Sequence, residues 1–271
     1  MRRFKILFFW LFKKKNNVSL SEMFYFLIKP NVKVISNRFI KDVNSNHEFA
    51  KISFKGIPYN LYWPLKFPLE GIHQVTSETF DTLDWHYYQK EGTKITNSEI
   101  LLDIGAAEGL FSLSVIDKCS KIIMIEPNSY FTSSLKKTFN EFLDKIEIHA
   151  CAVGEELGDA HFDSSSLTGS IKKNSDSLDF VKVETIDNLI DKSDKITYLK
   201  ADIEGYEIEM LRGAKETIIK NKPKISITTY HGANQPQEII DLIKEYVPEY
   251  KYYVKGIYQF GGKPIIIHFY I

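Results

Sequence analysis

A short glycine-containing segment has the composition of a ligand-binding turn. It reads LLDIGAAEG, in which Asp103 ends an apolar run and Gly105, Ala106 and Gly109 precede a predicted helix. Backbone N–H groups at a helix start bind polar ligand groups, and glycine lets a ligand approach the main chain. Ala107 stands where the GxGxxG pattern of dinucleotide sites needs its second glycine. The carboxylate of Asp103 would repel a pyrophosphate but suits the amino group of a methionine moiety.

A second acid follows the next apolar run. Glu126 ends that run and is followed by Pro127 and Asn128. An acid about 20 residues after a glycine turn commonly accepts hydrogen bonds from both hydroxyls of a ribose. The alternative is a surface acid at the start of the following helix. Ala152 and Val153 end a third run and are small and apolar enough to contact an adenine ring.

From residue 100 onward, apolar strands alternate with amphipathic helices. Predicted strands cover 100–104, 121–125, 146–153, 198–201 and 225–229, and predicted helices cover 110–117, 129–142, 206–220 and 236–245. This alternation predicts an α/β fold with a mostly parallel, doubly wound sheet. Residues 251–255 and 264–270 surround three glycines and predict a closing antiparallel hairpin. Such a hairpin fits a class I methyltransferase better than a dehydrogenase.

Several segments together resemble the FkbM-type methyltransferases. The similarity lies in DIEGYE followed by LRGA within 202–214, in the turn at 103–109, in the Glu-Pro-Asn strand end at 126–128 and in SITTYH at 226–231. It covers roughly residues 100–245. The resemblance implies a Rossmann-like S-adenosylmethionine-dependent O-methyltransferase that acts on a hydroxyl of a sugar, glycan or secondary metabolite. Thr229 and Tyr230 stand where family members carry a glutamate before the histidine.

The resemblance also assigns roles to individual residues. It places Asp103, Gly105 and Glu126 in the cofactor site, and Asp202 and Glu204 beside the transferable methyl group.

Methyl transfer to an alcohol requires removal of the hydroxyl proton. His231 is the predicted general base because imidazole titrates near neutral pH, and Asp202 is the alternative, as base or as the group that orients the acceptor. A divalent metal on Asp202 and Glu204 is a weaker interpretation. Glu207 is interpreted as favourable charge in the first turn of a helix.

Residues 1–97 form a predicted α+β appendage to a methyltransferase domain at 98–271. Residues 51–54 and 59–63 predict a hairpin, and 69–90 are expected to be mostly helical. Acceptor recognition or oligomerisation is expected here. Its aromatic residues could form a sugar-stacking face, although such spacings are more often core: Tyr59, Tyr62, Trp63, Trp85, His86, Tyr87 and Tyr88.

The composition of the chain bears on its binding partners and on its cellular compartment. The chain has 271 residues, 44% hydrophobic and 26% charged, as in globular proteins. Its 35 basic and 35 acidic residues balance, so no overall positive field indicates nucleic acid. Cys119 and Cys151 lie in apolar segments and are predicted to be buried free thiols. A reducing compartment, the cytoplasm, is therefore expected.

A basic and aromatic segment opens the sequence. Residues 2–15 are too short to span a bilayer, and Lys13–Lys15 stand where a signal-peptide cleavage site would lie. Either residues 1–15 contact a membrane surface, or they pack on the body or on a partner subunit.

Two other functions remain open: an NAD-dependent sugar dehydrogenase or epimerase, and a non-catalytic membrane-peripheral binding protein. The polar stretch 162–180 predicts a mobile loop over the site or a surface hairpin.

Overall fold

A computed structural model of the protein describes residues 2–90, 92–165, 170–172, 179–232 and 235–271. The helices are α1 (Arg2–Phe12), α2 (Leu20–Ile28), α3 (Val32–Ser36), α4 (Gly71–Phe80), α5 (Leu110–Val115), α6 (Ser129–Thr138), α7 (Ile186–Leu189), α8 (Glu207–Arg212), α9 (Lys215–Asn221) and α10 (Gln235–Tyr246). The strands are β1 (Ile40–Ser45), β2 (Phe49–Phe54), β3 (Asn60–Pro64), β4 (Glu99–Ile104), β5 (Cys119–Ile125), β6 (Ile146–His149), β7 (Ala152–Val153), β8 (Gly158–Asp163), β9 (Ser170–Lys172), β10 (Asp179–Glu184), β11 (Tyr198–Ala201), β12 (Lys224–Thr228), β13 (Lys251–Lys255) and β14 (Ile266–Tyr270).

A seven-stranded sheet forms the centre of the molecule, in the order β13-β14-β12-β11-β4-β5-β6. The strands from β12 to β6 are parallel, whereas β14 and β13 are antiparallel. Residues of β4 alternate between two buried clusters, with Leu101 on one face and Leu102 on the other. A sheet covered on both faces has this pattern. The predicted doubly wound α/β fold and its closing hairpin are confirmed.

The first 97 residues share a core with the rest of the chain. Ile52, Leu61 and Trp63 of the β1-β2-β3 sheet belong to the same buried cluster as Leu101 and Phe111. The main chain of Tyr62 also donates to Thr138 Oγ1 on α6 at 3.0 Å. The segment predicted as an appendage is therefore packed as an integral part of the body.

The predicted helix at 69–90 is wrong in its second half, because α4 ends at Phe80. The side chains of Asp81 and Asp84 accept the N–H groups of Leu83 and His86 at 3.1 and 3.0 Å. Such local bonds give the main chain an alternative to helix.

Two other predicted elements are divided. The helix predicted at 206–220 is two helices that meet at Gly213, where a Cβ would lie 2.0 Å from the carbonyl oxygen of Gly154. The strand predicted at 146–153 is shared between β6 in the central sheet and β7, which pairs with β10.

A further sheet has four strands, in the order β7-β10-β8-β9. Its antiparallel β8–β9 pair makes the described part of the 162–180 stretch a hairpin. Residues 166–169 and 173–178 of that prediction lie outside the described residues. Cys119 and Cys151 are buried and free, as expected.

Candidate active site

A cavity of about 310 Å³ opens at the carboxyl ends of β4, β5 and β11. The strands β4 and β11 are neighbours, so the sheet changes its direction of winding between them. Ligands of open α/β sheets bind at this switch point. Described residues that line the cavity include Gly105, Glu126, Pro127, Asn128, Ala152, Val153, Asp202 and Glu204, as well as Trp63, Glu78, His86, Glu108 and Tyr230.

The turn after β4 lies directly against the end of β11. Gly105 has φ +70°, and a Cβ there would lie 2.0 Å from the carbonyl oxygen of Asp202. The N–H groups of Gly105 and Ala106 both donate to the carbonyl oxygen of Ile125, at 2.9 and 3.2 Å. The turn is thus tied to β5 and in contact with β11, and Gly105 has no room for a side chain.

Three predicted cofactor residues lie behind this turn and do not line the cavity. Asp103 is fully buried, and its carboxylate accepts from Lys200 Nζ at 2.8 Å and from Ser112 Oγ at 2.7 Å. Ala106 is buried, and Gly109 starts α5, where a Cβ would lie 2.5 Å from Leu135. The carboxylate of Asp103 is thus paired with Lys200, and its direct contact with an amino group of the cofactor stays a prediction.

Lys200 joins the strand end to the turn. Its ammonium group donates to the carbonyl oxygen of Gly105 at 3.0 Å in addition to its bond with Asp103. Burial lowers its pKa, but the carboxylates of Asp103 and Asp202 outweigh burial and raise it. Sequence reasoning missed Lys200, although a lysine within the short apolar strand YLKA indicates a buried partner.

Glu126 reaches the cavity from the end of β5. Its two carboxylate oxygens accept from the N–H groups of Ala107 and Asn128, each at 2.9 Å. Burial raises the pKa of Glu126 to about 7, with these two bonds opposing the effect. Glu108 lines the same cavity, and burial raises its pKa to about 7 as well. The small side chains of β7 border the cavity, as predicted.

Asp202 accepts hydrogen bonds on both carboxylate oxygens. Tyr88 Oη donates to Oδ2 at 2.8 Å, and Thr228 Oγ1 donates to Oδ1 at 3.0 Å. Burial would raise the pKa of Asp202, but nearby histidines and Lys200 lower it below the ordinary value. Asp202 is therefore a fixed, ionised carboxylate on the cavity wall.

His86 stands between two carboxylates on the same wall. Its Nδ1 lies 3.3 Å from Glu78 Oε1, and its Nε2 lies 3.6 Å from Asp202 Oδ2. Neither contact has hydrogen-bond geometry, so both buried ring nitrogens lack a hydrogen-bond partner among the described residues. Burial lowers the pKa of His86, but Glu78, Asp202 and Asp84 raise it to about 9. Of the seven aromatic and histidine side chains suggested for acceptor stacking, Trp63 and His86 line the cavity.

His231 lies behind the cavity wall rather than on it. Its Nδ1 is 2.9 Å from Glu207 Oε1, and its Nε2 is 3.2 Å from Glu204 Oε2. Burial lowers its pKa, but the hydrogen bond to Glu207 and the nearby carboxylates raise it. The described cavity lining includes Glu204 and Tyr230 but not His231. His231 is thus held between two carboxylates beside the cavity, and its role as general base stays a prediction.

Glu207 is the first residue of α8, so its interpretation as acidic charge in the first turn of a helix is confirmed, and its side chain is in addition a buried hydrogen-bond acceptor. Its side chain is fully buried and accepts from His231 and from the amide of Gln235. The spacing of Glu207, Met210, Leu211 and Ala214 places it on the buried face of its helix. That periodicity could have identified it.

One group of potential metal ligands occurs among the described residues. Asp202, Glu207 and His231 each bring one ligand atom within 4.8 Å of the others. The weaker metal interpretation named Glu204 in place of Glu207. Glu207 and His231 bond to each other, and Asp202 accepts a hydrogen bond from Thr228.

The strand order, the glycine turn at the switch point and the acid on the next strand define a Rossmann-like class I methyltransferase. Residues 103–252 match the Methyltransferase FkbM domain. The chain belongs to the FkbM methyltransferase family, whose members use S-adenosylmethionine.

The chain is also similar to several solved structures. Methyltransferase FkbM from Methylobacillus flagellatus KT is 23% identical, with a TM-score of 0.54, over 74% of this chain and 54% of that one. Trm5b from Pyrococcus abyssi is 14% identical, with a TM-score of 0.45, over 86% and 63%. TYW2 from M. jannaschii, in complex with AdoMet, is 11% identical, with a TM-score of 0.46, over 84% and 88%. The chain thus spans little more than half of the FkbM structure. A search of curated proteins found no match.

Proposed function

We propose that the protein is an S-adenosylmethionine-dependent O-methyltransferase that methylates a hydroxyl of a sugar or glycan. The observation that carries this proposal is the placement of His86 and Asp202 in the same cavity as Glu126. Glu126 on one wall can accept hydrogen bonds from a ribose. On another wall, His86 can act as a base and Asp202 can orient an acceptor hydroxyl.

The cofactor side fits an adenosine with a methionine tail. Glu126 would accept hydrogen bonds from the ribose hydroxyls, and Ala152 and Val153 would contact the adenine. The turn at Gly105 leaves room for the tail to approach the main chain. Asp103 and Lys200 would hold this turn from behind. When bound, S-adenosylmethionine supplies an electrophilic methyl group.

The acceptor side supplies proton removal. We assign His86 as the general base in place of His231, with Asp202 orienting the acceptor and stabilising the imidazolium that forms. The acceptor hydroxyl would give its proton to His86 Nε2 as its oxygen takes the methyl group, whose bond to sulfur breaks and leaves S-adenosylhomocysteine. Positioning of the reacting atoms provides a large share of such accelerations.

The lining charges favour an uncharged acceptor rich in hydroxyl groups. Glu78, Glu108, Asp202 and Glu204 surround the acceptor region and would repel a phosphate or carboxylate. Hydroxyl groups donate readily to carboxylates, so an acceptor with several hydroxyl groups suits this lining. A hydroxylated secondary metabolite is the alternative acceptor. The two buried free thiols support a reducing compartment such as the cytoplasm.

The first experiment is calorimetric titration with S-adenosylhomocysteine of the wild type, Gly105→Ala and Gly56→Ala. Both glycines have positive φ, but a Cβ at Gly56 meets nothing within 4 Å. Both variants therefore carry the backbone strain of about 1 kcal/mol, and only Gly105→Ala displaces Asp202. We expect at least about a tenfold loss of affinity in Gly105→Ala alone.

Activity is then measured as transfer of labelled methyl groups to hydroxylated sugars and glycans. Labelled products that carry the methyl group on oxygen support the proposal. A folded wild type that binds NAD but not S-adenosylhomocysteine would overturn it in favour of a dehydrogenase, and one that binds neither would indicate a non-catalytic protein.

A further inference from the structure

Two helices near the start of the chain, α1 and α2, expose an apolar surface. We call it the docking face; it consists of Phe4, Phe8, Leu11 and Phe12 of α1 and Leu20, Phe24 and Ile28 of α2, each between 52% and 76% exposed. The opposite sides of these helices are buried on the body through Ile6, Trp10, Met23 and Phe26. Isolated exposed apolar residues are ordinary, whereas a patch of seven large ones indicates a binding surface.

The docking face is held rigidly on the body. Trp10 Nε1 donates to the carbonyl oxygen of Val18 at 2.7 Å, which closes the connection between α1 and α2. Asn16 Nδ2 donates to the carbonyl oxygens of Gly256 and Gly262 at 3.0 and 2.9 Å. The helices therefore present a fixed shape rather than a flexible tail.

Positive charge surrounds the docking face. Residues 1–38 contain nine lysines and arginines and one acid, a formal charge of +8, so the remainder of this neutral chain carries −8. The single acid, Glu22, is paired with Lys255 at 2.5 Å. Lys13 and Lys14, which follow the first helix, are exposed and have no ion-pair partner among the described residues.

We propose that the docking face binds the surface of an anionic lipid bilayer, with α1 and α2 lying in the plane of the interface. Aromatic and aliphatic side chains would enter the boundary between headgroups and acyl chains, and the lysines would contact anionic headgroups. No helix among the described residues combines the length and apolar character that a bilayer crossing requires. A second copy of the chain is disfavoured as the occupant, because pairing two docking faces would bring two +8 segments together.

The test is co-sedimentation of the full chain with vesicles of phosphatidylcholine, alone or with about 30% phosphatidylglycerol. We expect binding to the anionic vesicles that weakens as salt is raised from about 0.1 M to about 0.5 M. The variant Leu20→Ser/Phe24→Ser should lose at least about tenfold in partitioning. Its matched control, Leu157→Ser/Phe180→Ser, removes residues that are 62% and 75% exposed elsewhere and should bind like the wild type.

Two results would overturn the proposal. One is equal loss of vesicle binding in both double variants, or no binding by the wild type. The other is a wild type that is dimeric without lipid, with Leu20→Ser/Phe24→Ser monomeric, since a second copy would then cover the face. Circular dichroism checks that each variant is folded, and vesicle binding is measured without S-adenosylhomocysteine. Failure of docking is therefore distinguishable from failure of the proposed methyl transfer.

Discussion

Binding of the adenosine part of the cofactor should depend on the ionisation of Glu126. Burial raises its pKa to about 7, so in the free protein the carboxyl group is half protonated near neutral pH. The ionised form can accept hydrogen bonds from both ribose hydroxyls, whereas the protonated form has one oxygen committed as a donor. Ribose binding therefore favours the ionised form, and affinity should rise with pH through about 7.

The size of the effect follows from this pKa. About 3% of Glu126 is ionised at about pH 5.5, against about 90% at about pH 8, so affinity should be about 30-fold weaker at the lower pH. The ligand for calorimetry is 5′-methylthioadenosine, which has no group that titrates in this interval. Glu126→Gln should bind weakly and independently of pH.

The matched control is Glu108→Gln. Glu108 lines the same cavity, and its pKa is also raised to about 7. This variant should keep the pH dependence of the wild type. Equal affinity of the wild type at both pH values, or a 30-fold dependence that persists in Glu126→Gln and disappears in Glu108→Gln, would refute the assignment of Glu126 to the ribose.

Other predictions concern the acceptor side and the buried ion pairs. His86→Gln should lower kcat by about 10²- to 10⁴-fold without changing S-adenosylhomocysteine affinity, and wild-type kcat/KM should rise with pH up to about 9. Glu207→Ala should lower the free energy of unfolding in urea by about 3 kcal/mol, and Glu209→Ala by less than about 0.5 kcal/mol. Lys200→Met should cost about 3 to 5 kcal/mol by leaving Asp103 unpaired; Lys200→Met/Asp103→Leu should recover most of that loss.

Local sequence patterns predicted the central sheet and the glycine turn well. The runs of apolar residues in β4, β5, β11 and β12 are properties of consecutive residues. The same holds for the change to an antiparallel hairpin at the C-terminus. Both can therefore be recognised in the sequence before the fold is known. The contact of Gly105 with Asp202 follows from the same alternation, because carboxyl ends of parallel strands meet at one edge.

The acceptor wall was harder to predict because it forms through distant contacts. His86 and Tyr88 reach Asp202 across more than 100 positions, from a stretch that was predicted to be helical. The residue type of His231 suggested a base, but the sequence does not show that Glu204 and Glu207 contact its ring. The strand pattern also does not show that Lys200 lies opposite Asp103 on the neighbouring strand β11.

The packing of α2 next to the cavity wall has a kinetic consequence. Phe26 of α2 stacks on Trp85 with ring centroids 4.6 Å apart, and the next residue, His86, lines the cavity. If the acceptor is carried by a lipid, enzyme and acceptor meet by diffusion in two dimensions. The rate would then follow the mole fraction of acceptor in the bilayer, and adding inert lipid would slow the reaction at constant total acceptor.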